Sequence, residues 1–459
     1  MTGVLRKVVD VREEEVAALA WAVLSAFCLL CGWFVIRPLR DEMGIAGSVR
    51  ALPWLMWATF GATLVGVWAY SLAAARVPRR RLVAVVDRFF LANLLGFFAL
   101  LQLGVQREWV ARAFFVWTTV FNLFVVSAFW SVVSDVFRPE QGRRLFGCIA
   151  AGGTAGAIAG PLLTALLVRW GGTRSLLLIS CALLELSALC ALRLCRWRER
   201  FGRTGGERTS GDEASVGGTP FAGFRLFLQS PLLLGIGLQT LLYTVTSTFL
   251  YLQLMRLVEA NVAGSAERTR LFALIDLSVN VLALALQSAV TGRVMASFTI
   301  AVALAAAPLL SMLGFVAVAA VPTLAVVVVV HAARRAMHFA LERPAREVLF
   351  TRVSREERYK SKSFLDTVVY RGGDAISGSV EGGLNAAGLG MGAVSAVALP
   401  LTAIWAGLAF FLARRHEADP EATPCPSPAE GSFTPRPQPA PSPGSPAAPE
   451  PVARAPGRT

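Results

Sequence analysis

Apolar runs long enough to cross a bilayer recur along most of the chain, and short polar breaks separate them. A helix needs about 20 apolar residues to span roughly 30 Å of hydrocarbon. Twelve runs reach or approach that length, at 17–36, 51–72, 82–104, 109–134, 145–168, 174–195, 231–254, 269–291, 296–318, 321–341, 363–387 and 391–413. The pattern predicts about twelve transmembrane helices and no sheet. The eleventh run is the weakest, because Asp366, Arg371, Asp374 and several glycines break it. The first is not expected to be a cleaved signal: Glu13, Glu14 and Glu15 precede it and no small-x-small site follows it.

Composition agrees with a membrane protein. Hydrophobic residues make up 55% and charged residues 16%, whereas soluble domains carry about 25% charged residues. The net charge of +14 collects in alternate loops. RVPRRR follows the second run, RPEQGRR the fourth, RLCRWRERFGR the sixth and ERPAREVLFTRVSREERYKSK the tenth. The positive-inside rule then predicts that both termini are cytoplasmic. The charge reads as topology, so the bilayer is an expected partner and nucleic acid is not. Cys28 and Cys31 form a CxxC inside the first run, where filling space suits them better than holding a metal. Neither a metal nor a cofactor is expected.

The runs divide into six and six. Residues 1–195 form a predicted N-terminal six-helix bundle, 196–230 a polar, Gly-rich cytoplasmic linker, and 231–415 a second six-helix bundle. The Pro-, Ala- and Ser-rich stretch 416–459 cannot bury a core and is expected to be a disordered cytoplasmic tail. Six plus six around a central loop is the layout of the major facilitator superfamily, whose halves are structural repeats around a midplane site. A weak internal echo fits: RPEQGRRLFGCIAAGG after run four matches SREERYKSKSFLDTVVYRGG after run ten in position and character.

Charges inside such runs are costly and tend to face a wet cavity or one another. In VIRPLRDEMG (residues 35–44), Arg37 and Arg40 share a helix face, with Asp41 and Glu42 beside them as balancing acids. Asp135 ends the fourth run, and Glu140, Arg143 and Arg144 follow it; this group is expected to form a gate or loop ion-pair network. In the tenth run His331, Arg334 or Arg335, and His338 form a polar stripe, and His338 with Glu342 makes an i, i+4 pair able to carry a proton. The eleventh run carries Lys362, Asp366, Arg371, Asp374 and Glu381, with Arg371 and Asp374 spaced to pair. GGTAGAIAG places Gly152, Gly156 and Gly160 at four-residue intervals, which predicts a close-packing helix face rather than a phosphate loop. No Walker motif is present, so ATP hydrolysis does not drive the protein and no enzymatic activity is expected.

The ordered set RPLRDEMG, FWSVVSDVFRPEQGRRLFGCIAAGG and KSFLDTVVYRGGDAISG resembles the ATP/ADP translocase family of plastids and intracellular bacteria, and more closely that family's bacterial relatives. The likeness spans residues 15–415. It implies a bacterial cytoplasmic-membrane protein that exchanges nucleotides without hydrolysing them. Arg37, Arg40 and Asp41 match an arginine–aspartate motif at the end of helix 1, and Glu140 with Arg143 or Arg144 an acidic–basic motif before helix 5. Lys362, Asp366 and Arg371 match a lysine–aspartate–arginine pattern around helix 11. Two departures bear on the substrate. Glu42–Met43 stand where translocases tend to have a lysine, and GGDAISG stands where they tend to have GKSGG. Asp374 thus replaces a cation and disfavours a polyphosphate.

These features lead to an expected secondary transporter of an anionic, nucleotide-like solute working by alternating access. Arg37, Arg40, Asp41, Lys362 and Arg371 are the expected substrate-binding residues. Asp135, Glu140, Arg143, Arg144, Asp366, Asp374, His338 and Glu342 are expected to couple or gate. Proton-coupled export of another small molecule is the first alternative, favoured by Asp374 and the His338–Glu342 pair. A non-transporting membrane scaffold or receptor that uses the tail is the second.

Overall fold

The computed structural model of the protein describes residues 11–76, 79–104, 106–201, 227–228, 230–297, 299–353, 357, 361–362 and 364–418. Most of the expected linker and nearly all of the expected tail lie outside these residues. Among the described residues every regular element is a helix. This is the arrangement lipid imposes, since a helix satisfies its own backbone groups where no water can.

In chain order the helices are α1 (Glu13–Ala46), α2 (Leu52–Arg76), α3 (Arg79–Leu103) and α4 (Arg107–Val136), then one continuous run, Pro139–Phe201. That run holds two passages, α5 (139–171) and α6 (173–201). Between them Gly172 has φ +67°, a conformation open to glycine and strained for other residues. Then follow α7 (Pro231–Asn261), α8 (Ser265–Leu286, continuing to Ser297), α9 (Ile300–Ala320) and α10 (Leu324–Met337, continuing to Leu349). Last come α11 (Leu365–Val369 and Tyr370–Ala386) and α12 (Met391–Ala418). Ten helices are long and apolar enough to cross a membrane when Arg144–Arg198 counts as one and α11 is left out. The break at Gly172 and the addition of α11 bring the passages to the twelve the hydrophobic pattern predicts.

Local signals explain several starts. Ser230 caps α7 by accepting from the Leu233 amide at 3.4 Å, with Pro231 at the first helical position. Thr323 caps α10 through the Val326 amide at 3.5 Å. At α1, the Glu15 carboxylate reaches back to the Arg12 amide at 3.2 Å.

Packing follows the two halves. One apolar cluster lies wholly within residues 11–194, built from α1, α3, α4, α5 and α6. Two others lie within 227–413. A further cluster joins Ile45, Leu52, Leu55 and Phe115 to Phe249, Met255, Phe272 and Phe315, and so seals the halves together. Across this junction α8 packs on α1 and α5, and α11 packs on α2. Outward-facing Trp68, Leu166, Leu313, Val329 and Phe411 stay exposed, as a lipid-facing surface requires.

The glycine stripe of α5 lies against α1. A Cβ at Gly156 would sit 2.3 Å from the Phe27 carbonyl oxygen, and one at Gly160 2.6 Å from that of Cys31. The two backbones therefore touch, which only residues without side chains permit. Cys28 and Cys31 are buried in the same packed helix.

Candidate functional site

A cavity of about 240 Å³ lies between the halves. Its polar wall comes from Arg37, Arg40 and Asp41 of α1, Tyr251 and Thr248 of α7, Asp276 of α8, His331 and Arg335 of α10, and Arg371 and Asp374 of α11. Aromatic side chains, among them Trp33, Phe115, Tyr243, Phe339 and Tyr370, complete it.

The charges are matched in three groups. The Asp276 Oδ1 atom accepts from Arg37 and also from Arg335, the latter at 2.9 Å, so two cations share one carboxylate. Arg40 donates to Asp41 at 3.1 Å, and the Tyr251 hydroxyl donates to the same oxygen at 2.9 Å. The Arg40 guanidinium also lies 4.2 Å from the centre of the Phe115 ring, within the range of a cation–π contact. Arg371 reaches Asp374 at 3.4 Å, and the Thr248 hydroxyl donates to Asp374 at 3.0 Å. Four arginines face three aspartates, which leaves one positive charge without a counter-ion in the wall.

Behind the wall lies a second polar layer. The His338 Nδ1 atom is 2.7 Å from the Glu342 carboxylate, both side chains are buried, and the imidazole stacks on Tyr243 at 3.7 Å between ring centres. The pair occupies a π-turn, His338–Glu342, a widened turn often found at functional sites. Arg334 is fully buried and donates to the Ser311 hydroxyl, the Tyr243 carbonyl and the Thr246 hydroxyl at 3.0, 3.0 and 3.2 Å.

Several residues expected at the site meet there: Arg37, Arg40, Asp41, Arg371 and Asp374 line one cavity. Others are placed elsewhere. Lys362 does not line it; its ammonium pairs with Glu347 at 2.7 Å, and both are about two-fifths exposed. Asp366 is exposed on the π-turn Leu365–Val369. That turn closes i→i+5 bonds and widens the helix there. Glu42 is buried but faces Ser265, Arg107 and Arg268 rather than the cavity, and Asp276 does the balancing expected of it. The stripe on α10 divides: His331 and Arg335 reach the cavity, whereas Arg334 and His338 lie behind it.

In the expected gate region, Asp135 is half-buried near the end of α4 and Glu140 is exposed. The side chain of Arg143 lies outside the described residues. Arg144 donates to Glu15 at 3.2 Å and Gln141 to the same oxygen at 2.7 Å, which ties α5 to α1 within one half.

Described contacts between the halves run from mid-bundle to the end where α1, α5, α7 and α11 finish. Asn280 donates to the Ala157 carbonyl at 2.7 Å and Trp57 to Ser379 at 2.8 Å. Arg169 holds Glu267 through two bonds of 2.9 and 3.2 Å. Gly378 lets α11 meet α2, since a Cβ there would stand 2.6 Å from the Met56 sulfur.

Among solved structures the chain is similar to a bacterial homologue of the human lysosomal transporter Spinster in an inward-facing, unoccupied conformation. Identity is 15% and the TM-score 0.58, over 89% of this chain and 99% of that one. A variant of the nucleoside transporter NupG gives 14% and 0.57, over 88% and 99%. An inward-facing bacterial homologue of the iron transporter ferroportin gives 11% and 0.61, over 87% and 98%. No family model and no curated protein matches the chain. The described residues form an all-helical membrane fold of about twelve passages, the fold of these major facilitator-type transporters.

Proposed function

We propose that the protein is a secondary transporter that carries a small anionic solute through the cavity between its halves by alternating access. The observation that carries this is the surplus of arginine over aspartate in a cavity walled by both halves. One net positive charge in a low-dielectric site attracts an anion far more strongly than it would in water. With both termini cytoplasmic, as the loop charges suggest, contacts gathered at the far end leave the cavity facing inward.

A nucleotide is supported as the solute by the three motifs that resemble ATP/ADP translocases and by the aromatic lining. The cavity volume and its single surplus charge favour the smaller and less charged members of that class. Pockets that enclose drug-sized ligands run to about 300–1,000 Å³, above the 240 Å³ here. Proton coupling is a second reading, favoured by the His338–Glu342 pair stacked on a cavity-lining tyrosine.

The test is uptake by proteoliposomes holding the full-length protein. Vesicles are preloaded with ADP, AMP or inorganic phosphate and offered labelled ATP, AMP or phosphate. Uptake that requires a preloaded anion supports exchange, and uptake driven by a pH gradient alone supports proton coupling. Inserted, folded protein that moves none of these anions overturns the reading.

A further inference from the structure

We propose that Arg37, Arg335 and His331 form the subsite that takes the solute's anionic group, and that Asp276 is the internal anion this group displaces. The inference rests on the reading of the cavity as an anion-transport site and names the part of it that recognises charge.

The three groups around Asp276 differ from the other pairs in the wall. Asp41 and Asp374 each balance one arginine and also accept a hydroxyl, so those groups are neutral, although the Arg40 Nε atom is buried without a partner. Asp276 is split between two arginines, and all the bonds recorded to it fall on Oδ1. Its Oδ2 atom is buried without a partner. His331, one turn before Arg335, is 5% exposed and lines the same cavity, and its Nδ1 atom also lacks a partner. A buried polar atom left unbonded is costly. The Oδ2 atom is an acceptor and calls for a donor, whereas the His331 nitrogen, when it carries the ring proton, calls for an acceptor; beside an uncompensated positive charge, that nitrogen marks a site completed by a bound acceptor.

The missing group is an oxyanion. A carboxylate or phosphate has several acceptor oxygens, enough for the guanidinium groups of Arg37 and Arg335 and for the imidazole N–H of His331. Its negative charge cancels the surplus that Asp276 leaves. Both carboxylates and phosphates satisfy this chemistry, and the choice between them belongs to the rest of the solute.

Displacement gives the subsite a second property. Arg37 belongs to α1 in one half, whereas Asp276 and Arg335 belong to α8 and α10 in the other. An anion that takes Arg37 from Asp276 therefore replaces a direct tie between halves with a tie through the solute. Asp276 keeps its bond to Arg335, so no carboxylate is stranded. An empty carrier restores the Arg37–Asp276 tie, which links occupancy to the relation between the halves.

The test is equilibrium binding to the purified full-length protein, read by tryptophan fluorescence, since Trp33 lines the cavity. Inorganic phosphate, AMP and succinate serve as separate probes to distinguish phosphate from carboxylate solutes. For whichever probe binds, Arg335→Gln is expected to weaken binding at least tenfold. Asp276→Asn is expected to tighten it several-fold, because the competing charge is gone. Lys362→Gln, outside the cavity, is expected to leave it unchanged. If Asp276→Asn weakens binding as Arg335→Gln does, Asp276 is an anchor and the displacement is wrong. Should Asp276→Asn not fold, His331→Gln decides: weaker binding is expected, and unchanged affinity overturns the subsite. Wild-type binding that is indifferent to Arg335→Gln overturns the subsite and leaves anion transport standing. Folded wild-type protein that binds none of the probes overturns both.

Discussion

Arg371 shows how one side chain can be both held and available. It reaches Asp374 at 3.4 Å, a long bond, and its side chain is a quarter exposed to the cavity. Such a guanidinium can turn to a solute without first breaking a short ion pair. Arg371→Ala is therefore expected to reduce anion uptake to background while the purified protein keeps its thermal unfolding midpoint. Lys362→Ala, whose ammonium is tied to Glu347, is expected to keep uptake within about twofold. The His338–Glu342 pair permits a separate test, because its imidazole and carboxylate lie 2.7 Å apart behind the cavity and can pass a proton between them. Glu342→Gln is expected to abolish any response of uptake to a pH gradient without abolishing exchange. At this scale the sequence revealed the residues whose charge interrupts an apolar run in clusters, such as Arg37, Arg40, Arg371 and Asp374. It hid Asp276, the lone acid of the apolar run 269–291, whose meaning depends on partners 239 and 59 positions away. Tyr251 and Thr248 were equally silent, since a hydroxyl in an apolar run does not interrupt it.

Helix contacts test the same logic one level up. Where α5 crosses α1, Gly156 brings its Cα against the Phe27 carbonyl, and any side chain must push the helices apart. Overpacking of this kind costs about 1–3 kcal/mol. Gly156→Ala is expected to lower the thermal unfolding midpoint and the yield of folded protein. Gly61→Ala in α2, with no atom within 4 Å of the added Cβ, is expected to change neither. The four-residue glycine spacing made this interface legible before any coordinates, because it has a single physical use inside an apolar helix. The turns at Leu365–Val369 and His338–Glu342 were not legible. A π-turn inserts one residue into a helical register, and nothing in LDTVV or HFALE announces it. The consequence is local: Asp366, expected to couple or gate, is turned to the surface.

For the whole molecule, hydrophobic periodicity was enough to place all twelve passages, because lipid leaves the chain so few alternatives. The relation between the halves was not readable, since it depends on which faces of α1, α5, α8 and α11 meet. At the closed end the Arg169–Glu267 bridge is exposed on both sides, so it contributes little to stability. Its effect on conformation is better exposed by repulsion. Glu267→Arg, facing Arg169, is expected to shift the balance away from the conformation described here, read as faster modification of a cysteine placed at Thr119 by reagent added from the closed side. Restoring opposite charges with Arg169→Glu in the same chain should reverse that shift. Removal of residues 419–459 is expected to leave uptake intact, whereas a scaffold acting through the tail would lose its function.

The composition of α11 has a consequence for how the protein is made. It is the one passage too polar to rank with the ten apolar spans, and it carries Arg371, Asp374 and Glu381. Each charged residue at the centre of a helix adds roughly 2.5–3.5 kcal/mol to the cost of entering the bilayer. A segment like this does not leave the translocation channel for lipid unaided. It enters beside helices that already hold its partners: Arg256 on α7 for Glu381, Thr248 on α7 for Asp374, and Pro53 and Met56 on α2 for its glycines. Insertion of the eleventh helix is thereby a checkpoint on the assembly of the ten before it. A fault in α2 or α7 would surface first as a chain whose C-terminal end lies on the wrong side of the membrane.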